Sequence, residues 1–238
     1  MTKSSAQGVR ARVRAELTEE IKQTARAHLA SDGSAALSLR AVARELGMAS
    51  SAIYRYFPSR ELLLTALIID AYNAVGAKVE EAEAACDRHD FEKRWLTIGN
   101  AVRAWALENP HEYALIYGSP VPGYAAPDDT ITPATRVTGV MMHLLADVVA
   151  ARKDSPLPSA DAITPPIPDR LRAEFEANDH LGRAVSPEMM AAGLAAWAEM
   201  FGVISFELFG HFHNVVAHRD DFFDHAMRAT ATRLFLCP

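Results

Sequence analysis

Ser38-Leu-Arg-Ala-Val-Ala-Arg-Glu-Leu-Gly47 runs directly into Met48-Ala-Ser-Ser-Ala-Ile-Tyr-Arg-Tyr-Phe57, and the pair decides how the chain reads. In the first segment Val42, Ala43 and Leu46 recur at helical spacing, so a short helix over Leu39–Leu46 turns one face inward. Ser38 stands at its start, where a hydroxyl side chain favours a helix N-terminus. Gly47 ends it at a turn, where positive φ costs glycine little. The second segment predicts another short helix over Ser50–Phe57, stopped before Pro58. Ala43 and Ala52 are small enough for two helices to cross closely, and Ile53 and Phe57 lock the second helix to the first. Two short helices joined at a glycine form a helix-turn-helix. Ser50, Ser51, Tyr54 and Arg55 point outward from the second helix, with Tyr56 beside them. These are hydrogen-bonding side chains placed where a DNA major groove would lie.

Outward from this pair, helical signals continue in both directions. A first helix is expected from Ala15 to Ser31, with Ile21, Ala25, His28 and Leu29 on one face and Gly33 as its stop. Residues 1–13 are polar and basic and read as a flexible arm. For Arg10, Arg12 and Arg14 two readings stand open, a reach into the minor groove and a disordered tail. Ser59 caps a long helix toward Ala85, whose first turn carries Glu61 at the positive end of the helix dipole. Further helices are expected over Phe91–Glu108, Pro110–Tyr117, Pro133–Arg152, Asp169–Asn178, Pro187–Phe209 and Asp220–Phe235. Between them lie a Pro/Gly/Asp loop at Gly118–Thr130 and a linker with Pro156, Pro158, Pro165, Pro166 and Pro168. No alternating strand pattern and no internal repeat appears. The fold class is therefore all-α, with a three-helix helix-turn-helix domain at residues 10–60 and a larger helical domain at 61–238.

The 238 residues are half hydrophobic, enough for one large or two small cores. Cys86 and Cys237 are too few for a disulfide framework and too far apart for a metal motif, which suits a reducing cytoplasm. No signal peptide is read, and no uninterrupted apolar run of membrane-spanning length. The net charge of −6 hides an asymmetry. Residues 1–60 hold ten Lys and Arg against five acids, a balance of +5, which leaves −11 for the rest. A basic head on an acidic body can meet phosphates with one face and repel them elsewhere. Chance clustering of solvated charges is the plainer alternative.

Across residues 18–70 the chain resembles the TetR family of bacterial repressors. The resemblance is carried by Leu39-Arg40-Ala41-Val42-Ala43, Leu46-Gly47, Ala52-Ile53-Tyr54, and the run Tyr54-Arg-Tyr-Phe-Pro58-Ser-Arg-Glu-Leu-Leu63. Ala49 departs from it, standing where the family often has Ser or Thr, so Ser50 is the candidate cap of the recognition helix. The apolar segment Ser34–Leu37 also departs. The resemblance implies a ligand-responsive repressor without catalysis or cofactor, bound as a homodimer to a palindromic operator. It implies that Ser38 contacts backbone and Arg40 bases, that Ser50, Ser51 and Arg55 probe base edges, and that Tyr54 and Tyr56 donate to phosphates. Arg60 would hold a phosphate beside backbone N–H groups. Each has a structural alternative: Tyr54 can pack the domain, and Arg55 and Arg44 can be solvated charges, the preferred reading for Arg44.

The resemblance further implies a helical second domain that binds a small hydrophobic effector and dimerises. Trp95, Trp105, Tyr113, Tyr117, Met141, Met142, His143, Met200 and Phe201 are the candidate pocket residues, because aromatics and flexible methionines suit an adaptable apolar cavity. Taken singly, each reads better as ordinary core; taken together, the resemblance implies a cavity somewhere among them. For the dimer, Leu194, Trp197, Phe201, Ile204 and Leu208 repeat at three- and four-residue steps, as do Phe223, Met227, Thr230 and Leu234. Small Gly193, Ala196, Ala226 and Ala229 would permit close approach, although some of these positions must face the core. His211, His213 and His218 with Asp220 and Asp221 are the one cluster with metal-ligating chemistry. Their spacing fits no compact zinc motif, and histidine is also favoured at a helix C-terminus, so no metal is assigned. A helical enzyme and a helical interaction module are the competing classes. No nucleophile–base pair supports the first, and the second leaves the basic head unexplained.

Overall fold

The structure, a computed structural model, describes residues 3–151, 166–177, 185–234 and 236. Among these residues there are α-helices and short 3₁₀ turns but no strand, so the fold is all-α as read. The helices are α1 (Lys3–Asp32), α2 (Leu39–Glu45), α3 (Ser50–Ile53), α4 (Arg60–Ala84), α5 (Phe91–Glu108), α6 (Pro110–Tyr117), α7 (Ile131–Ala134), α8 (Arg136–Ala151), α9 (Asp169–Ala177), α10 (Pro187–Leu208) and α11 (Arg219–Arg233). The bounds of α5 and α6 are those read from sequence, because Pro110 can only open a helix.

Three readings are corrected. The segment read as an arm belongs to α1 from Lys3 onward, where Ala6, Gln7, Arg10, Ala11, Arg12 and Arg14 are good helix formers. The helix read over Pro133–Arg152 is two helices. Pro133 sits in the first turn of α7, and Thr135 starts a new helix by accepting from Gly139 N at 2.8 Å. The helix read to Phe57 leaves α-helical form at Ile53 and tightens into i→i+3 turns, Arg55 N to Ala52 O and Tyr56 N to Ile53 O. Pro156, Pro158, Pro165, Asn178, Phe235 and Cys237 lie outside the described residues.

The chain forms two compact units, and their division falls inside α4. The first unit is Met1–Asn73 with Asn109–Ala134, and the second is Ala74–Glu108 with Thr135–Pro238. The core of the first unit gathers Ile21, Ala25 and Leu29 of α1, Leu39, Val42 and Ala43 of α2, Ile53 and Phe57, Leu63, Leu64 and Leu67 of α4, and Val121. Each large aliphatic among them contributes about 1.5–3 kcal/mol by burial. The core of the second unit gathers Trp95, Ile98 and Trp105 of α5, Leu144 and Val148 of α8, Met200 and Ile204 of α10, and Phe223 and Met227 of α11.

Close approach in the second unit depends on glycines, among them Gly193 and Gly99. A Cβ on Gly193 would lie 2.6 Å from Leu145 Cδ1, and one on Gly99 would lie 3.2 Å from Met227 Sδ. Arg94 is wholly buried there and is held by Glu83 at 2.6 Å, Asp147 at 2.8 Å and the Arg88 carbonyl at 3.0 Å. By length and composition alone, α4 and α10 are long and apolar enough to cross a membrane, although Asp70 and Glu199 interrupt their apolar runs. Many of their apolar side chains are buried in the protein, Leu63, Leu64 and Leu67 on α4 and Met189, Met200 and Ile204 on α10 among them.

Candidate DNA interface and helical body

Gly47 turns the chain between α2 and α3 at φ 63°, and Met48 N closes the turn on Ala43 O at 2.8 Å. Val42, Ala43 and Ile53 are fully buried, so α2 and α3 are fixed to one another and to α1. Ser38 occupies the N-cap of α2, where its carbonyl accepts from Val42 N at 3.0 Å while its hydroxyl makes no capping bond. The N-cap of α3 is Ala49, which has no side-chain acceptor, and Ser50 is the first helical residue rather than a cap. Both serine hydroxyls at 50 and 51 are thereby left to the outside. Ser59 does cap α4, accepting from Leu62 N at 3.3 Å.

The residues nominated as DNA contacts divide in two. Arg40, Ser50, Ser51, Tyr54 and Arg55 are exposed, and Tyr54 is 41% exposed, more than a packing residue needs. Ser38, Tyr56 and Arg60 are half-buried and have internal work. Tyr56 packs on the core with the Arg14 guanidinium above its ring, 5.3 Å from the centroid. Arg60 donates from Nε to Leu37 O at 3.0 Å and from Nη2 to Ser34 O at 2.7 Å. That anchors the Ser34–Leu37 segment, which gives this departure from the family pattern a structural use. Arg44 is exposed.

Sequence reasoning missed an ion-pair cluster in the same unit. Asp70 of α4 accepts from Lys22 Nζ and Arg26 Nη2, each at 2.7 Å, and Arg26 Nε reaches Glu112 of α6 at 3.1 Å. Glu19 bonds Lys22 at 2.7 Å and Arg26 at 3.0 Å. Burial pulls the Lys22 ammonium down, but its bonds to Asp70 and Glu19 outweigh that and hold it above its usual value. The only sequence signal was Lys22 and Arg26 four apart on α1, which names no partner. His28, read as a core-face residue, is instead half-buried and bonds Glu45 of α2 at 2.6 Å. On α6, Tyr113 is buried against Tyr117, ring centroids 5.2 Å apart, and Tyr72 packs edge-on to Tyr117. Burial pushes the Tyr117 hydroxyl well above its ordinary value, with Tyr72 and Tyr113 adding to it.

In the second unit Trp95, Trp105, Met141, Met200 and Phe201 are buried, and Met142 is half-buried. Trp95 Nε1 donates to Met227 O at 3.0 Å. His143 is exposed on α8 and does not join them. A cleft of about 650 Å³ in this unit is lined by other residues, among them Arg103, Leu107, Glu207, Val215 and Asp220. Arg103 forks onto Glu207 with two bonds of 2.7 Å and reaches Asp220 at 2.6 Å.

The dimer residues need correction in the same unit. Ile204, Phe223, Met227, Thr230 and Leu234 are at most 2% exposed, and Gly193, Ala196 and Ala226 are also buried. These positions serve the protomer's own core, where α11 packs on α5 and α10. Leu194 remains exposed, and Trp197 and Leu208 half so. The histidines 211, 213 and 218 do not converge, and among the described residues no group of three or more His, Cys, Asp or Glu side chains could hold a metal.

Comparison with known proteins bears on both units. Residues 21–67 match a model described as bacterial regulatory proteins of the tetR family, and residues 95–230 match one described as a tetracyclin repressor-like C-terminal domain. HTH-type transcriptional regulators of Mycobacterium tuberculosis and Mycobacterium bovis are 38% identical over 207 residues, 86% of this chain and 86% of each of theirs. The solved structure of the protein SCO4313 is 31% identical, covers 93% of this chain and 98% of its own, and superposes with a TM-score of 0.74. A bacterial regulatory protein in the tetR family from Rhodococcus RHA1 shares the fold at 16% identity, with a TM-score of 0.53 over 92% of this chain and 95% of its own.

Proposed function

This chain belongs to the TetR family of helix-turn-helix transcriptional regulators, and from that premise we propose that it is a ligand-responsive repressor binding a palindromic operator as a cytoplasmic homodimer. The observation that carries the DNA part is the outward row Arg40, Ser50, Ser51, Tyr54 and Arg55, polar and exposed on a rigidly packed α2–α3 pair. In this reading Arg40 and Arg55 contact base edges with Ser50 and Ser51, as forked or hydroxyl donors do in the major groove. Ser38, Tyr54 and Tyr56 donate to phosphates, and Arg60 does so only with the donor capacity left by Leu37 and Ser34. The proposed DNA-binding head, residues 10–60, falls within the first compact unit, which also takes in α4 up to Asn73 and Asn109–Ala134, and the proposed regulatory body lies in 61–238.

The body takes a small hydrophobic effector among its buried aromatics and methionines, Trp95, Trp105, Met141, Met200 and Phe201, with no catalysis. The partner surface is the exposed side of α10. The test is operator selection from genomic fragments, followed by binding titrations on the selected duplex. Tyr54→Phe is expected to weaken all duplexes alike, whereas Arg40→Ala also narrows the gap between operator and unrelated DNA. Compounds that raise the melting temperature are expected to change operator affinity. A selection that enriches no sequence overturns the operator reading, and stabilising compounds that leave affinity unchanged overturn the effector reading.

A further inference from the structure

Helix α1 spans thirty residues, Lys3–Asp32, but the core uses only its second half. From Gly8 onward its first buried position is Ile21, followed by Ala25 and Leu29. From Gly8 to Glu16 every residue is exposed, including Val9 and Val13. The stretch Gly8–Ala15 carries three arginines and no acid.

What fixes the direction of this extension is Arg14. Its Nη2 donates to Arg55 O at 2.9 Å and its guanidinium lies over the Tyr56 ring, so α1 leaves the core past the C-terminal end of the α3 segment. Arg10 is one turn further out on the same side of the helix as Arg14, about 6 Å along the axis. Arg12 projects about 200° away, from the opposite side. Among the described residues neither Arg10 nor Arg12 has an ion-pair partner.

We propose that the N-terminal half of α1 is a second DNA contact, in which Arg10 binds a phosphate flanking the half-site and Arg14 acts as the positioning residue. The inference rests on the reading of α2–α3 as the operator-binding element. Being helical changes what this segment can do. A helix with its side chains is about 10–12 Å across, too wide for a minor groove of about 6 Å. Arg10 therefore meets the sugar–phosphate backbone, and its contribution is independent of base sequence. Arg12, facing away, makes no such contact.

The test measures operator and unrelated duplex binding by fluorescence anisotropy between 50 and 200 mM salt, for wild type, Arg10→Ala and Arg12→Ala, with helix content checked by circular dichroism. Each lost phosphate contact lowers the slope of log affinity against log salt by about 0.9 and a bound dimer loses two, so Arg10→Ala is expected to lower the slope by about 1.8, and the fourfold rise in salt costs it about twelvefold less affinity than wild type. This loss of slope is expected on both duplexes, with their affinity ratio unchanged, and Arg12→Ala is expected to keep the wild-type slope. An Arg10→Ala slope equal to wild type overturns the inference, as does a changed ratio or an equal effect at Arg12. If wild type binds the selected operator and Arg10→Ala behaves as wild type, this inference alone fails. If wild type binds no duplex, the operator reading fails and takes the inference with it.

Discussion

At the scale of single residues, the head separates positions that hold shape from positions that face outward, and the two kinds fail differently when changed. Gly47 has positive φ with open space where a Cβ would go, so its cost of substitution is conformational and not steric. Gly47→Ala is expected to lower stability by about 1 kcal/mol. Ile53→Ala opens a cavity in a fully buried site and is expected to cost about 2–5 kcal/mol. Chemical denaturation of the two variants checks the contrast. Arg60 is the case where a residue expected to meet DNA also has a structural duty. Its two bonds to Leu37 and Ser34 carbonyls are charge-assisted, so Arg60→Ala is expected to destabilise the head by about 2 kcal/mol. Arg60→Lys should recover little of this, because an ammonium lacks the fork that reaches both carbonyls.

At the scale of elements, the ion pairs of α1 tie it to α4 and α6 within the first unit. The Glu19 carboxyl is held below its ordinary value of 4.5 by its bond to Lys22 and then by its bond to Arg26. Its contribution is present above pH 4.5 and is lost as pH falls through the lowered folded value. Glu19→Gln is expected to be less stable than wild type at neutral pH, and the difference should close as acid is added. Denaturant midpoints measured from pH 7 to pH 3 check this. Element boundaries were legible where proline or glycine forced them, as at Gly33, Gly47 and Pro110, whereas the stop read at Pro58 came four residues past the end of α3. The start of α1 was not, because a run of polar helix formers looks the same in a tail and in a helix. The Asp70 cluster was not legible either, since its partners are 44 to 86 residues apart. On α11 the named residues Phe223, Met227, Thr230 and Leu234 are buried in the protomer: apolar residues repeat on both α10 and α11, and periodicity alone does not say whether a face meets its own core or a partner. The outward row on α3 was legible because its inward neighbours were unambiguous.

At the scale of the whole molecule, the remaining apolar surface of α10 argues for how two copies would meet. Leu194, Ala198, Gly202, Phe206 and Phe209 follow one another at four- and three-residue steps, so they form a single stripe. Leu194, Phe206 and Phe209 are 38%, 51% and 45% exposed, and a Cβ on Gly202 would meet nothing within 4 Å. A small residue with open space above it, between exposed apolar ones, lets a second helix approach closely. Gly202→Glu is therefore expected to leave the protomer folded and to give a monomer by sedimentation, whereas wild type is expected to sediment as the proposed dimer. The loss at DNA should be larger than any single contact, because a dimer holds its second head at millimolar effective concentration. Operator affinity should fall by about a hundredfold or more. In the proposed dimer the same symmetry would fix the operator, since two recognition elements related by a two-fold axis need half-sites about 34–36 Å apart or a multiple of that. Inserting five base pairs between half-sites turns one of them to the opposite face of the duplex, and inserting ten restores the face. Wild type is expected to lose affinity for the first insertion and regain part of it for the second. The Gly202→Glu monomer should bind all three duplexes equally, and a monomer that still distinguished them would rule out α10 as the surface that sets the spacing.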